Sequence, residues 1–492
     1  MNITGRKKEF LITVISNLLL QVTTAVCGFI LPPLIVTTFG SSINGMVSSI
    51  TQFIAYLNIV EAGIGAASIA ALYKPLAQND IAGQNGILSA TKHFYNKSGL
   101  LFTVLVIGLS LIYPLIVKGQ VDTLTASLMV LILGISGAAE FFLIGKYRVL
   151  LTADKKVYVI SLIQVLAVIA NTVFAVVLIN NNAGILIVKL LSGLLYLGRY
   201  TFIWLYVKRN YTYLDLTVPP DRKAISQSKN ALVHQISALV VFNTPIVLIT
   251  FFCSLKDASV YAVYAMVFSA VGNLVGAFTN GMEAFFGESL VKDSIEHTGK
   301  IFSRYTRLYI AVLGWVYSCT FLLIVPFMRL YTKNMTDAEY IQPLLAILFL
   351  ISEILKNIRN PCNQLIGGAG HFKKTQNRSI TEAVLNLCFS LIFVLKFGVI
   401  GVLMGSIASH LYRTTDMIIY SYRHILKQSM WNFLISVFVY LFVCIFMIFL
   451  IQFFTVNVAS YMSWFFYALI CGLVLSIPLL LPIIFQLKKT YK

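Results

Sequence analysis

Apolar runs of about twenty residues or more recur along the whole chain, and they leave it few places to fold other than inside a bilayer. About fourteen lie near 10–37, 45–72, 98–117, 124–149, 158–180, 185–207, 230–252, 259–286, 306–330, 339–360, 377–396, 399–421, 431–454 and 461–487. About 20 residues of helix cross the hydrocarbon, whereas a tilted barrel strand needs only about 10 in alternation, so the runs predict helices. The 492 residues are 58% hydrophobic and 11% charged, far from the balance of a soluble domain. The expected fold class is an all-α, polytopic membrane protein. Arg6, Lys7 and Lys8 precede a first run too long for a signal-peptide core, and no small-residue cleavage site follows, so no cleavable leader is expected. Seven cysteines lie in or near apolar runs without a CxxC pair, which predicts free thiols and neither a metal site nor a disulfide framework.

The connections alternate in character. FGSSING, KGQVD, NNNAG, SLKDA and KFGVI are short and nearly free of positive charge; TADKK, 208–229, 292–304 and HFKKTQNR are basic. Of the 37 Lys and Arg, 29 fall in the basic set with both termini, five on the opposite side, and three (Lys189, Arg199, Arg413) inside spans. By the positive-inside rule both termini are cytoplasmic. Basic loops facing an anionic leaflet account for most of the +19 net charge and require no nucleic-acid partner; anionic membrane lipids are the expected neighbours.

The chain repeats itself. Setting Pro32 on Pro245, an offset of 213, aligns NLLLQVTTAVCGFILP with NALVHQISALVVFNTP and gives nine identities over 17–47; ADKKVYVIS (153–161) and HFKKTQNRS (371–379) align at an offset near 218. Six spans separate the copies, so both keep one orientation and the pseudo-two-fold axis runs along the membrane normal. The predicted division is an N-lobe at 1–215, a C-lobe at 216–425 and an appended span pair at 426–492. No charge occurs between Lys427 and Lys488, so the pair is expected to face lipid.

Polar residues fall in stripes. Asn17, Gln21, Thr24 and Gly28 share one helix face, as do their repeat partners Asn230, His234, Ser237 and Val241. Asn58, Glu61, Gly65 and Ser68 do so in the second span, Ser136, Glu140 and Tyr147 in the fourth, and Ser161, Gln164 and Asn171 in the fifth. Asn273, Gly276, Asn280 and Glu283 line the eighth, Glu353, Lys356, Asn357 and Asn360 the tenth, Glu382 and Asn386 the eleventh, and His410 and Arg413 the twelfth. A charge at mid-bilayer costs at least about 2.5 kcal/mol, so this many imply an internal hydrated space, expected between the lobes and openable to the cytoplasm. The competing reading of each stripe is helix packing through small residues and interhelical hydrogen bonds. Pro32 and Pro245 are expected to permit bends. The candidate cavity residues are Asn17, Gln21, Thr24, Arg148, Arg199, His234, Asn273, Asn280, Arg307, Lys356, Arg359 and Arg413. The acids Glu61, Glu140, Glu283, Glu353, Glu382 and Asp416 are candidates for coupling to H⁺ or Na⁺. Glu353–Lys356 and Arg413–Asp416 have the i,i+3 spacing of ion pairs. No P-loop, GxSxG, HExxH or histidine cluster is present and no connection is long enough for a catalytic domain, so an enzyme is not expected.

Local text adds a resemblance. VEAGIGAAS (60–68), KYRVLLTADKKVYVISLIQ (146–164), and IRNPCNQLIGGAGHFKKTQNRSITEAVLNLCFSL with KFGVIGVLMGSIAS (358–409) look like the span 2, span 4–5 and span 10–12 regions of the polysaccharide-exporter (Wzx-like) branch of the multidrug/oligosaccharidyl-lipid/polysaccharide superfamily. That resemblance implies a flippase in the bacterial cytoplasmic membrane, moving an undecaprenyl-pyrophosphate-linked oligosaccharide by alternating access for surface polysaccharide assembly. Its implied partners are the lipid-linked oligosaccharide, a polysaccharide polymerase and glycosyltransferases, with no cofactor beyond a coupling ion. A cation-coupled multidrug exporter of the same superfamily and a non-transporting scaffold of a glycan assembly complex are the alternatives.

Overall fold

The computed structural model describes residues 3–61, 63–221, 224, 229–452 and 458–490, with the side chains of 3–10, 229–232 and 481–490 left out. The described residues form helices and no strands. In chain order these are α1 (Ile3–Phe39), α2 (Ser41–Leu57), α3 (Ile64–Gln78), α4 (Ile81–Ile116), α5 (Thr123–Ala139), α6 (Gly145–Ala153), α7 (Val157–Asn180), α8 (Ile185–Asn210), α9 (Lys229–Phe252), α10 (Leu255–Ala277), α11 (Met282–Lys292), α12 (Ile295–Tyr331), α13 (Pro343–Ile358), α14 (Asn360–Gly368), α15 (Phe372–Tyr420), α16 (Trp431–Gln452) and α17 (Tyr461–Thr490).

Among the described residues twelve helical stretches are long and apolar enough to cross a membrane. One, Phe372–Leu426, folds back on itself at Gly398 and supplies two spans; α13 with α14 supplies another, interrupted at Arg359. Each of the fourteen expected spans is thereby matched by helix. Leu111, Leu115 and Phe442 are 71%, 72% and 71% exposed, which is the apolar outside of a multi-pass membrane protein rather than a soluble one. α16 and α17 are exposed over most of their apolar residues, and α12 receives both of them.

The chain divides into two compact units, 1–259 and 260–492. In the first, α1 packs on α7, α4 on α5, α8 on α5 and α7, and α3 on α4 and α6, around Phe102, Tyr113, Met129 and Leu150. In the second, α12 packs on α13, α16 and α17, α11 on α14, and α13 on α15, around Phe286, Phe302, Tyr309 and Leu365. Repeat and packing cut the chain differently: α9 opens the second copy of the repeat yet packs on α2 within the first unit. There Thr250 donates to Ser49 at 2.7 Å and Tyr56 meets Thr244.

Helix bounds follow the repeat, with one correction. α1 and α9 end 213 residues apart, at Phe39 and Phe252. α7 and α15 start 215 apart, at Val157 and Phe372, so the second pairing is displaced by three from the offset of 218 read from its Lys-Lys identity. The helices also run unbroken through Pro32 and Pro245.

The breaks lie elsewhere, in the even spans. The second span passes through a tight 3-10 turn at Asn58–Glu61 and Gly63 at φ 86° before α3 begins. The fourth widens into a π-helical turn at Glu140–Ile144. The eighth turns through Gly281 at φ 82°, and the tenth restarts at Asn360-Pro361. Left-handed backbone suits glycine, and proline suits the first turn of a new helix.

Candidate functional site

Backbone that leaves the helix at membrane depth must find polar partners, and π-turns cluster at functional sites. In each unit charges collect at the breaks. In the first, Glu61 ends the 3-10 turn and meets Arg148 of α6. Arg148 also reaches Glu140, in the π-turn, at 3.2 Å; Glu140 in turn accepts from Arg199 of α8 at 3.0 Å. Two acids and two bases therefore alternate in one chain. Tyr95 donates to Glu61 at 2.6 Å, and Gly145 leaves room for its ring. Arg199 bonds Gln164 of α7 and Tyr200, while its Nε is buried with no hydrogen-bond partner. The end of this chain is not sealed: a cavity of about 260 Å³ opens beside Glu61, lined by Asn58, Gly63, Gly65, Gln235, Ile236 and Leu239.

The second unit holds a more buried cluster. Glu382 is the hub: Oε1 is 2.6 Å from Arg359 Nη1 and 3.4 Å from His410 Nδ1, and Oε2 is 3.5 Å from Arg413 Nε. Arg413 continues to Asp416 at 3.1 Å and to Ser379 at 3.0 Å, and Asp416 also takes Arg378. The side chains of Glu382, Arg359 and Arg413 are 9%, 12% and 6% exposed. Nearby on α13, Lys356 pairs with Glu353, and Asn357 donates to Glu353 at 3.2 Å and to Tyr317 at 2.9 Å. Both i,i+3 ion pairs expected from spacing are present. Charges as poorly hydrated as those around Glu382 need near-complete pairing, which is why acid and base interleave there.

The remaining sequence candidates lie outside these clusters. Asn17 is half-buried and accepts from Ser161 of α7 at 2.6 Å. Gln21 and Thr24 are exposed on α1, Asn273 on α10, Asn280 in the following turn, and Arg307 on α12. His234 is half-buried on α9; the side chain of Asn230 lies outside the described residues. Glu283 is exposed and packs over Gly367 of α14, where a Cβ would meet its Cδ at 2.6 Å. Tyr95, Tyr200, Tyr317, Ser379 and Gln235 escaped the sequence reading, Tyr200 and Tyr317 because each stands inside an apolar run and Tyr95 because it precedes the third run, in the polar stretch KHFYNK. Among the described residues no three His, Cys, Asp or Glu side chains are grouped as a metal ion would need.

No protein-family model matches the chain, and no curated protein matches it. Solved structures do. The lipid II flippase MurJ in an inward closed conformation superposes with a TM-score of 0.64 at 14% identity, over 95% of this chain and 98% of that one. An inward-facing MATE family multidrug resistance transporter of the MOP superfamily gives 0.64 at 17% identity, over 82% of this chain and 95% of that one. A Vibrio cholerae MATE transporter gives 0.55 at 14% identity, over 86% and 98%. The chain thus has the fold seen in this flippase and in these MATE transporters.

Proposed function

We propose that the chain is a flippase for an undecaprenyl-pyrophosphate-linked oligosaccharide, working by alternating access in the bacterial cytoplasmic membrane with both termini inside. The carrying observation is the Glu382 cluster, where two arginines and a histidine surround one poorly hydrated carboxylate. Arg offers a planar, bidentate grip on phosphate oxygens, so a pyrophosphate could replace Glu382 as the partner of Arg359 and Arg413. That reading revises a simple cation clamp, because the cations are held in reserve by acids until the substrate competes for them. Glu61, Glu140 and the cavity beside Glu61 supply acceptors for sugar hydroxyls or for a coupling H⁺ or Na⁺. In this reading the functional lobes are 1–215 and 216–425, with 426–492 appended. Nucleic acid has no part in this reading; a polymerase and glycosyltransferases would act before and after it.

The test is transport itself. Protein reconstituted in vesicles should expose a fluorescent undecaprenyl-pyrophosphate-linked glycan to an external quencher, and Arg359→Ala with Arg413→Ala should abolish this while leaving insertion intact. Equal rates in the variant would remove the pyrophosphate role. A second reading, cation-coupled multidrug export, is favoured by the equal TM-score to a MATE transporter. It predicts dye efflux from cells overproducing the protein and no movement of the glycolipid.

A further inference from the structure

A separate basic cluster sits on the turn that joins α14 to α15 and on the far end of α15. The turn passes through Gly370 at φ 66° and delivers His371 to Tyr420, with Nδ1 3.1 Å from the phenol oxygen. Lys374 Nζ is 3.0 Å from Nε2 of the same imidazole. His424 packs on the Tyr420 ring with centroids 5.0 Å apart, and the Arg378 guanidinium lies 4.8 Å above that ring. After Tyr420 the helix widens into a π-helical turn, Ser421–Leu426, closed by Lys427 at φ 52°. Such turns are uncommon, and left-handed backbone outside glycine is strained, so local structure is being held there against its own preference.

Three basic groups meet on one tyrosine, with Lys374 joined to them through His371, and one acid is close: Asp416, which pairs with Arg378 and also serves Arg413. Among the described residues no carboxylate pairs with His371, Lys374 or His424. Partial burial, with Lys374 and His424 beside it, holds His371 below the ordinary histidine range. Lys374 and Arg378 bring positive charge beside two imidazoles that an anion would help to charge, and the one nearby acid is already shared, so the cluster favours an anion from outside the chain. The basic groups come from both ends of α15, so an anion there would be met from two sides, which suits the several oxygens of a phosphate.

We propose that His371, Lys374 and His424, with the Tyr420 hydroxyl, form a phosphate-binding site at the basic face of the membrane. The phosphate is that of an anionic phospholipid headgroup or of a free phosphate ion, both of which reach this edge. The site is distinct from the Glu382 cluster, although Asp416 and Arg378 link the two.

The experiment uses the full chain in phosphatidylcholine discs, with and without phosphatidylglycerol. Native mass spectrometry counts retained phosphatidylglycerol, and calorimetry in pure phosphatidylcholine measures inorganic phosphate. Lys374→Gln with His424→Gln should lose one tightly held anionic lipid, or weaken inorganic phosphate by roughly tenfold; Tyr420→Phe, which removes one hydroxyl, should fold normally and weaken either ligand less. Retention of phosphatidylglycerol alone assigns a lipid headgroup, and a calorimetric signal with inorganic phosphate assigns the free ion. Unchanged retention and unchanged phosphate binding in both variants would overturn the site. So would an equal loss in Lys300→Gln, an exposed lysine on α12, since general charge attraction would then explain the binding.

Discussion

Replacing Glu382 by glutamine isolates the energetics on which the proposed site depends. The carboxylate is 9% exposed and faces Arg359 at 2.6 Å and Arg413 at 3.5 Å. Glutamine keeps the shape but removes the charge, leaving Arg359 without its ion-pair partner; Arg413 retains Asp416 at 3.1 Å. Breaking a buried pair by removing one member costs about 3–5 kcal/mol, because the surviving charge stays poorly hydrated. For a unit of this size each kcal/mol moves the melting temperature by about 2–4 °C, so the apparent melting point should fall by roughly 6–20 °C. A thiol-reactive dye reports it, since Cys362, Cys444 and Cys471 are buried in the same unit. Two controls sharpen the reading. Glu288→Gln removes an exposed partner of Lys292 and should shift melting by about 1 °C or less. Adding Arg359→Met to Glu382→Gln removes the stranded charge and should restore about half of the loss. If Glu382→Gln melts like Glu288→Gln, or the double variant is worse than the single, Glu382 is not the hub of a desolvated ion cluster.

Three further outcomes are expected. Gly368→Ala places a Cβ 2.7 Å from the Glu283 carbonyl oxygen and the Gly287 nitrogen, forcing α11 from α14 at a cost of about 1–3 kcal/mol; an unchanged melting point would show that the crossing is loose. Trp315→Phe deletes the 2.8 Å bond from the indole to the Gly472 carbonyl, worth about 1 kcal/mol, so the buried Cys471 should label severalfold faster with a lipid-soluble maleimide; an unchanged rate would mean α17 docks without it. Glu61→Gln leaves Arg148, whose side chain is 39% exposed, with Glu140, so stability should change by about 1 kcal/mol or less while glycolipid transport falls; a loss of stability matching Glu382→Gln would make that cluster structural.

What sequence could disclose followed the reach of local periodicity. Run length located the spans, and helical spacing located Glu353–Lys356 and Arg413–Asp416, because residues three apart share a face whatever surrounds them. Glu61–Arg148 and Arg359–Glu382 were out of reach: their members lie 87 and 23 residues apart, and only the packing of particular helices brings them together. The stripe through Asn17, Gln21 and Thr24 is real as a period, yet of the three it is Asn17 that accepts from Ser161, because α7 covers one edge of that face and leaves Gln21 and Thr24 exposed. The even-span breaks were hidden for another reason. A π-turn or a left-handed glycine leaves the apolar count of its run unchanged, so hydropathy reads straight across it.

The bend at Gly398 bears on how the polypeptide is made. Its φ of 55° with ψ of −133° joins the two limbs of α15 through a single residue, a conformation open chiefly to glycine. The limbs are sewn together by Asn386 with Ser406 and Ser409, and by Ser390 with the Val402 carbonyl. A nascent chain halted after the first limb would hold Glu382 and Asn386 in lipid with their later partners still untranslated. Partitioning from the insertion machinery should therefore favour the paired hairpin over the single limb, and biogenesis would treat this stretch as one indivisible parcel.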